Sequence, residues 1–300
     1  MIVGSEVAVL ANPLAGRGRR AGVLADVVGR LRAARLTPKL LRAGSRQEAL
    51  EACREAVADK PAALLAVGGD GTVHLALQAV AGTGVPLGVV PVGTGNDFAS
   101  ALGVPTGEHP AIKAAVSAIA EGRTRVLDLG RASHAGEPGM WYGTVLSAGL
   151  DSSINERANR MRWPKGPRRY DLSILVEIAK LAPRDYKLVL DGEPQELSAM
   201  IIAVGNAASY GGGLRICPHA ELSDGMLDLT VIGPIGRGTA MRIKSSVRKG
   251  THLEHPAVSH HHVRTIEIHG PSMHTYADGE RALPLPVTVE CVPGALHALG

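Results

Sequence analysis

Leu64-Leu65-Ala66-Val67-Gly68-Gly69-Asp70-Gly71-Thr72 is the stretch on which the fold reading turns. Its first four residues are apolar without alternation, the pattern of a strand buried on both faces of a parallel sheet. Three glycines then surround one carboxylate, and Val73 to Val80 continue as a helix-compatible run. Glycine permits φ > 0 and lets a bulky anion approach the backbone amides. A strand, a glycine turn and a helix start together place N–H groups and a helix N-terminus where phosphate oxygens can sit. Asp70 would repel phosphate, so it points to a metal ion or a hydroxyl proton nearby.

Upstream, Glu6 to Ala11 reads as a first strand, followed by Asn12-Pro13-Leu14-Ala15-Gly16-Arg17-Gly18-Arg19-Arg20. Gly16, Gly18 and Gly22 approach a dinucleotide fingerprint, with the third glycine displaced by one position. Leu24, Val27, Val28 and Leu31 recur at helical spacing. Pro38 to Leu41 reads as a second strand, and Ser45-Arg46-Gln47-Glu48 has capping-box spacing for the next helix. Ala49, Ala52, Cys53, Ala56 and Val57 form that helix's inner stripe.

Downstream, the strand Pro86 to Pro91 runs into a second glycine-rich turn, Val92-Gly93-Thr94-Gly95-Asn96-Asp97-Phe98-Ala99. A helix over 110–121 and a strand from Thr124 to Leu129 follow. Alternating strands and helices, with each glycine turn after a strand's C-terminal end, predict a doubly wound α/β domain. Ligands of such sheets bind outside the carboxyl ends of the strands.

After Asp128 the rhythm changes. Gly136-Glu137-Pro138-Gly139 and Asp191-Gly192-Glu193-Pro194 are turn signals between β-rich runs. Those runs are Met140–Leu146, Tyr186–Leu190, Ala199–Val204, Met226–Ile232 and Val263–Ile268, which predict an antiparallel sheet or sandwich. Helical stretches interrupt it near 152–162 and 170–182. The expected division is an α/β nucleotide-binding domain over 1–128 and a β-rich lipid-substrate domain over 129–300, whose C-terminal end returns to the first. The names of those domains rest on the resemblance given below.

The composition is that of a folded protein: 300 residues, 45% hydrophobic and 20% charged. One Phe and two Trp leave the core to Ala, Val, Leu and Ile. Cys53, Cys217 and Cys291 lie far apart without metal-ligand spacing, which argues for a reducing compartment. The first residues lack the marks of a signal peptide, and no apolar run approaches a membrane span. A cytoplasmic location is expected. The net charge of +4 suits anionic ligands or an anionic membrane surface, and no nucleic-acid partner is expected.

The two glycine turns, separated by one strand, resemble the diacylglycerol kinase catalytic domain, a family that includes bacterial lipid kinases, sphingosine kinases and ceramide kinases. The first motif is shared with NAD kinases and phosphofructokinases; the second is more specific. The resemblance continues in Gly205-Asn206, Tyr210-Gly211-Gly212-Gly213, Pro218-His219-Ala220, Asp224-Gly225-Met226-Leu227-Asp228 and Ala277-Asp278-Gly279-Glu280. It covers nearly the whole chain and is similar to the stand-alone bacterial members.

That resemblance implies an ATP-dependent transfer of phosphate to a lipid hydroxyl, with diacylglycerol, a sphingoid base or another lipid alcohol as acceptor. It implies that Asn12, Pro13, Leu14, Ala15 and Gly16 hold the nucleotide with Gly68, Gly69, Asp70, Gly71 and Thr72. Ala43, Gly93, Thr94, Asn96 and Asp97 complete that set. Many relatives carry Thr where Ala43 stands, so one hydroxyl contact is lost here. Glu280 is the implied proton acceptor, with Asp70 as its rival, and Asp70 and Asp97 organise the magnesium and phosphates. A structural Mg²⁺ is implied at Asp224, with backbone oxygens of Glu221 and Met226, an oxygen set that suits the ion. An NAD kinase and a nucleotide-binding regulator without catalysis are the rival readings. A homodimer is compatible with all of them.

Three further stretches have plainer readings. Asp191-Gly192-Glu193 reads as a hairpin turn. His260-His261-His262 reads as a solvated loop entering a strand, because adjacent side chains in an extended chain face opposite ways. The basic run from Arg157 to Arg169 around Trp163 is either a solvated face or a contact for anionic headgroups at a membrane surface.

Overall fold

The computed structural model describes residues 5–11, 19–161, 163, 168–180 and 182–300. Its backbone divides into two units, Met1–Leu129 with Val292–Gly300, and Gly130–Cys291. In the first unit, β1 (Glu6–Ala11), β2 (Thr37–Leu41), β3 (Ala63–Gly68) and β4 (Leu87–Pro91) pair in parallel in the order β2-β1-β3-β4. The unbroken apolar run of β3 is buried on both faces, with Leu64 and Leu65 at 0% exposure. Each such leucine contributes about 2 kcal/mol of burial. That run therefore has to be the middle of the sheet.

The helices α1 (Arg19–Ala33), α2 (Arg46–Ala58), α3 (Asp70–Val80), α4 (Asp97–Ala101) and α5 (Glu108–Glu121) connect the strands. On α1 the buried stripe is Val23, Val27 and Leu31; Val27 and Leu31 belong to the predicted face, whose Leu24 and Val28 are half-buried. Ser45 caps α2: its Oγ accepts from Glu48 N at 3.2 Å. The Glu48 carboxylate returns to Gly44 N at 2.8 Å rather than to Ser45 N, a capping box shifted by one residue. Helix α3 is buried almost all round, as a helix that crosses under a sheet must be.

The strand β5 (Thr124–Ser133) leads into the second unit. There β6 (Met140–Tyr142), β7 (Val145–Gly149), α6 (Leu150–Arg160), α7 (Arg168–Ala179), β8 (Arg184–Leu190), β9 (Glu193–Ala199), β10 (Ile201–Gly205) and β11 (Leu227–Ile232) follow. Then come α8 (Arg237–Lys249), a 3-10 turn at His252–Glu254, β12 (Val258–Val263), β13 (Thr265–His269), β14 (His274–Ala277), β15 (Glu280–Pro284) and β16 (Val287–Leu299). One antiparallel sheet has the order β12-β11-β10-β7-β14-β15. The other carries β9, β8, β13 and the first half of β16, joined by β5 and β6. Leu146, Ile202, Val204 and Leu229 from the first meet Leu188, Ile266, Ile268 and Val289 from the second in one core. This is a β-sandwich.

The last residues of β16 return to the first unit, where Ala298 pairs with Leu87 of β4. Leu299 packs over Gly88, where any Cβ would come within 2.7 Å of its methyl group.

Several elements differ from the sequence reading. The run Met140–Leu146 breaks at Gly143 and Thr144 into β6 and β7, and β12 and β13 replace the single run Val263–Ile268. His260–His262 are not a loop but the middle of β12, paired with β11. Helix α8 was not anticipated: its polar, basic sequence hides a short stripe of Ala240, Ile243 and Val247.

Candidate functional site

The first glycine turn begins where β3 ends. Gly69 is the N-cap of α3 in an extended conformation, and Asp70 stands in the helix's first turn. The Asp70 carboxylate reaches across to the second turn. Its Oδ2 accepts from Asn96 N at 2.8 Å and its Oδ1 from Asp97 N at 2.7 Å. Two backbone N–H donors on one carboxylate fix its direction.

The second turn is shaped by Asn96, which sits in the left-handed region with φ 57°. Its side chain closes the loop on itself: Oδ1 accepts from Gly93 N at 3.0 Å, and Nδ2 donates to Gly93 O at 2.9 Å. Phe98, 3% exposed, and Ala99 anchor the short helix α4 that follows.

Positive φ, one of the two uses read for the glycines in the sequence, is not what they supply here. None of Gly68, Gly69, Gly93 and Gly95 has a positive φ. What they allow is close approach. A Cβ on Gly93 would lie 2.5 Å from Gly69 Cα, and one on Gly95 would lie 2.5 Å from Asp70 Oδ2. A Cβ on Gly68 would collide with Thr72. The two turns touch backbone to backbone, and only hydrogen fits between them.

In the second unit, Ala277-Asp278-Gly279-Glu280 is a two-residue hairpin between β14 and β15. Asp278 and Gly279 both have positive φ, 52° and 79°, as the tight reversal requires. The Asp278 carboxylate accepts from Gly143 N, from Thr144 N at 2.8 Å and from Thr144 Oγ1 at 2.6 Å. Asn206 supports the same bend, donating from Nδ2 to Gly143 O at 3.0 Å. The break between β6 and β7 is therefore a clamp for the hairpin, and Glu280 is its first residue on β15, half-buried. Tyr276, one strand residue before Ala277, donates to Glu156 Oε2 at 2.6 Å.

Asp224 lies in the turn before β11. Its Oδ1 accepts from Met226 N at 3.0 Å, and its Oδ2 faces His262 Nε2 at 3.0 Å. Glu221, three residues earlier in the chain, is exposed. On β12, His260 reaches the buried Asp228 at 2.5 Å. Among the described residues, no three His, Cys, Asp or Glu side chains form a metal-holding group. A single carboxylate with backbone oxygens is still an acceptable donor set for a hard cation.

Of the remaining sequence candidates, Asn12, Pro13, Leu14, Ala15 and Gly16 lie outside the described residues. Ala43 is half-buried in the loop between β2 and α2. The basic run is divided. Arg157 is paired with Glu177 of α7, tying α6 to α7, and Arg160 with Glu156. Trp163 is 80% exposed. Arg162 and Lys165 lie outside the described residues, as do the side chains of Arg168 and Arg169. No helix is long and apolar enough to cross a membrane. Cys217, between β10 and β11, is fully buried, and burial pushes its thiol up to about 12, as it does for Cys53.

An α/β unit with paired glycine turns, followed by a β-sandwich, is an arrangement suited to a kinase, and comparison with known proteins specifies the family. Residues 6–132 match the diacylglycerol kinase catalytic domain, and residues 144–300 match the YegS C-terminal NAD kinase beta sandwich-like domain. The diacylglycerol kinase of Mycobacterium tuberculosis strain H37Rv is 40% identical over 295 residues, covering 98% of this chain and 94% of that protein. The diacylglycerol kinase of Bacillus subtilis strain 168 is 26% identical, covering 93% of this chain and 90% of its own. A crystal structure of a diacylglycerol kinase from Bacillus anthracis superposes with a TM-score of 0.79 at 25% identity, over 98% of this chain and 96% of that one. The chain belongs to the diacylglycerol kinase family.

Proposed function

We propose that this kinase transfers the γ-phosphate of ATP to the free hydroxyl of diacylglycerol, with the turns at 68–72 and 93–97 holding the nucleotide. The observation that carries this reading is the Asp70 carboxylate joining the two turns at 2.8 and 2.7 Å. That joint gives the phosphates a rigid frame at the positive end of α3. Gly69 leaves the approach open, and Thr72 and Thr94 offer hydroxyl donors.

Phosphoryl transfer asks for alignment, charge stabilisation and a proton acceptor. Glu280 takes the proton of the lipid hydroxyl as its oxygen bonds to the γ-phosphorus and ADP departs with the old bridging oxygen. Asp70 is a positioning residue: its two oxygens hold the Asn96 and Asp97 N–H groups and so fix the second turn against the first. Asp97 and Asp70 are the carboxylates that would face Mg²⁺, which when bound neutralises phosphate charge. A second Mg²⁺ would use Asp224 with the carbonyls of Glu221 and Met226, sharing that carboxylate with His262.

Purified protein given ATP and diacylglycerol, sphingosine or NAD separates the family's chemistry from its rivals. Turnover is expected with diacylglycerol; turnover with NAD alone, or ATP binding without any turnover, would overturn the reading.

Three further outcomes are expected. Gly69→Val pushes a branched side chain toward Gly93, whose Cα lies 3.1 Å from the first added carbon. ATP affinity measured by calorimetry should fall more than about tenfold, because the frame for the phosphates opens; unchanged affinity would remove this turn from the site. In the absence of nucleotide, Mg²⁺ at 100 times its Kd should stabilise the folded chain by about 2.7 kcal/mol. Asp224→Ala should abolish most of that rise in Tm, and an identical Mg²⁺ response in the variant would leave Asp224 as a turn residue alone. Anionic vesicles should bind the protein through the basic run and Trp163, more weakly as salt shortens the screening length. Equal binding to neutral vesicles would reduce that run to a solvated face.

A further inference from the structure

A helix packed on the surface of a protein ordinarily turns its polar side to water. Helix α7 does nearly the reverse. Ser173 is fully buried, and Glu177 is half-buried where it holds Arg157 of α6. The opposite side carries Leu172, Leu175, Val176 and Ala179 at helical spacing. Leu172 is 37% exposed and Leu175 57%, and Ala179 is exposed beside them.

Helix α8 lies against α7. Its inner residues Ile243 and Val247 pack with Val145 of β7 and Ala203 of β10, on the face of that sheet turned away from the sandwich core. Its outer side presents Met241, Arg242, Ser245, Arg248 and Lys249, all exposed, Met241 at 46%. The helix contains five cations, Arg237, Arg242, Lys244, Arg248 and Lys249, and no Asp or Glu. None of the five is in an ion pair among the described residues. In the basic run of the sequence, by contrast, Arg157 and Arg160 are held by Glu177 and Glu156.

An apolar stripe left in water marks a surface that is covered in use. The unpaired cations of the neighbouring helix call for a negative partner. A bilayer with anionic headgroups offers both, since its interface accepts apolar side chains and its phosphates face the cations. A second copy of this chain meeting the same face would set the α8 cations against one another. We propose that α7 and α8 form the membrane-seating face of the kinase. Leu172, Leu175 and Met241 enter the interface, and Arg242, Arg248 and Lys249 meet anionic headgroups. The inference rests on the membrane contact proposed above and deepens it, placing its free cations on α8. A lipid dissolved in water has no need of this face, whereas a lipid held in a bilayer is reached through it.

The test measures co-sedimentation with vesicles of phosphatidylglycerol and phosphatidylcholine. Beside it, kcat/KM is determined for dioleoylglycerol in those vesicles and for dihexanoylglycerol dissolved below its micelle concentration, with ATP saturating. The double variant Leu172→Ser/Leu175→Ser should bind vesicles about tenfold more weakly or worse. Arg242→Gln/Arg248→Gln should lose about thirtyfold, the usual attraction of two cations for an anionic surface. In both variants turnover of the vesicle lipid should fall with binding, and turnover of the dissolved lipid should stay at the wild-type level, which also shows that they fold. Wild-type vesicle binding in either variant overturns the inference and leaves the membrane contact standing. An equal loss on the dissolved lipid overturns it too, because the stripe would then belong to the substrate site. So does a leucine variant whose only change is the separation of a dimer. A wild-type protein that binds neither vesicle overturns the membrane contact itself, and the inference with it.

Discussion

Glu280→Gln is expected to lower kcat by about 10²–10⁴-fold while ATP affinity barely changes. That range is what a positioned general base typically contributes. The substitution keeps the shape and the hydrogen-bonding reach of the side chain and removes only its capacity to take a proton. The hairpin is held from outside Glu280, through Asp278 on Gly143 and Thr144, so the glutamine should sit where the glutamate did. Steady-state kinetics with diacylglycerol, beside calorimetry with ATP, provides the check. Near-normal turnover in the variant would hand proton removal to Asp70 or to water.

Asp70→Asn is expected to act differently, lowering kcat and disturbing its magnesium dependence together. An amide supplies one oxygen and one N–H₂ where the protein needs two acceptors. One of the Asn96 and Asp97 N–H groups then faces another donor. Losing a hydrogen bond to a charged group costs about 1.5–3 kcal/mol, which corresponds to about 10- to 150-fold if all of it appears in the transition state. Titrating Mg²⁺ at fixed ATP should show a raised half-saturation point. A drop in kcat with an unaltered Mg²⁺ curve would mean that Asp70 takes protons rather than places phosphates.

The parallel sheet was legible because strands buried on both faces leave continuous apolar runs, and β1 and β3 were placed almost residue for residue. The antiparallel half was read more coarsely. Gly143–Thr144 and Met200 interrupt apolar runs that look continuous, and nothing local marks those breaks. Helix α8 could have been found: Ala240, Ile243 and Val247 have helical spacing, but basic residues on every other side concealed it. His260 and His262 were misread because their partners, Asp228 and Asp224, lie 32 and 38 residues away.

The site was legible as motifs and not as geometry. Asp70, Asn96 and Asp97 could each be singled out, but a carboxylate bridging 26 and 27 residues to the next turn is a product of the fold. Of the two uses read for the glycines, positive φ is absent at Gly68, Gly69, Gly93 and Gly95, and what excludes a side chain at Gly69, Gly93 and Gly95 is the proximity of the other turn, at Gly68 that of Thr72.

The path of β16 has a consequence for how the chain matures on the ribosome. Domains generally fold as their sequence emerges, N-terminal part first. Here β4 leaves the tunnel more than two hundred residues before Ala298, its partner in the finished sheet. Throughout that interval Gly88 is bare of Leu299, and the β4 edge shows open backbone groups of the kind that invite pairing with another chain. The first unit is thus completed by a segment synthesised only after the whole of the second unit. Cutting a gene at residue 129 would make that nascent exposure permanent.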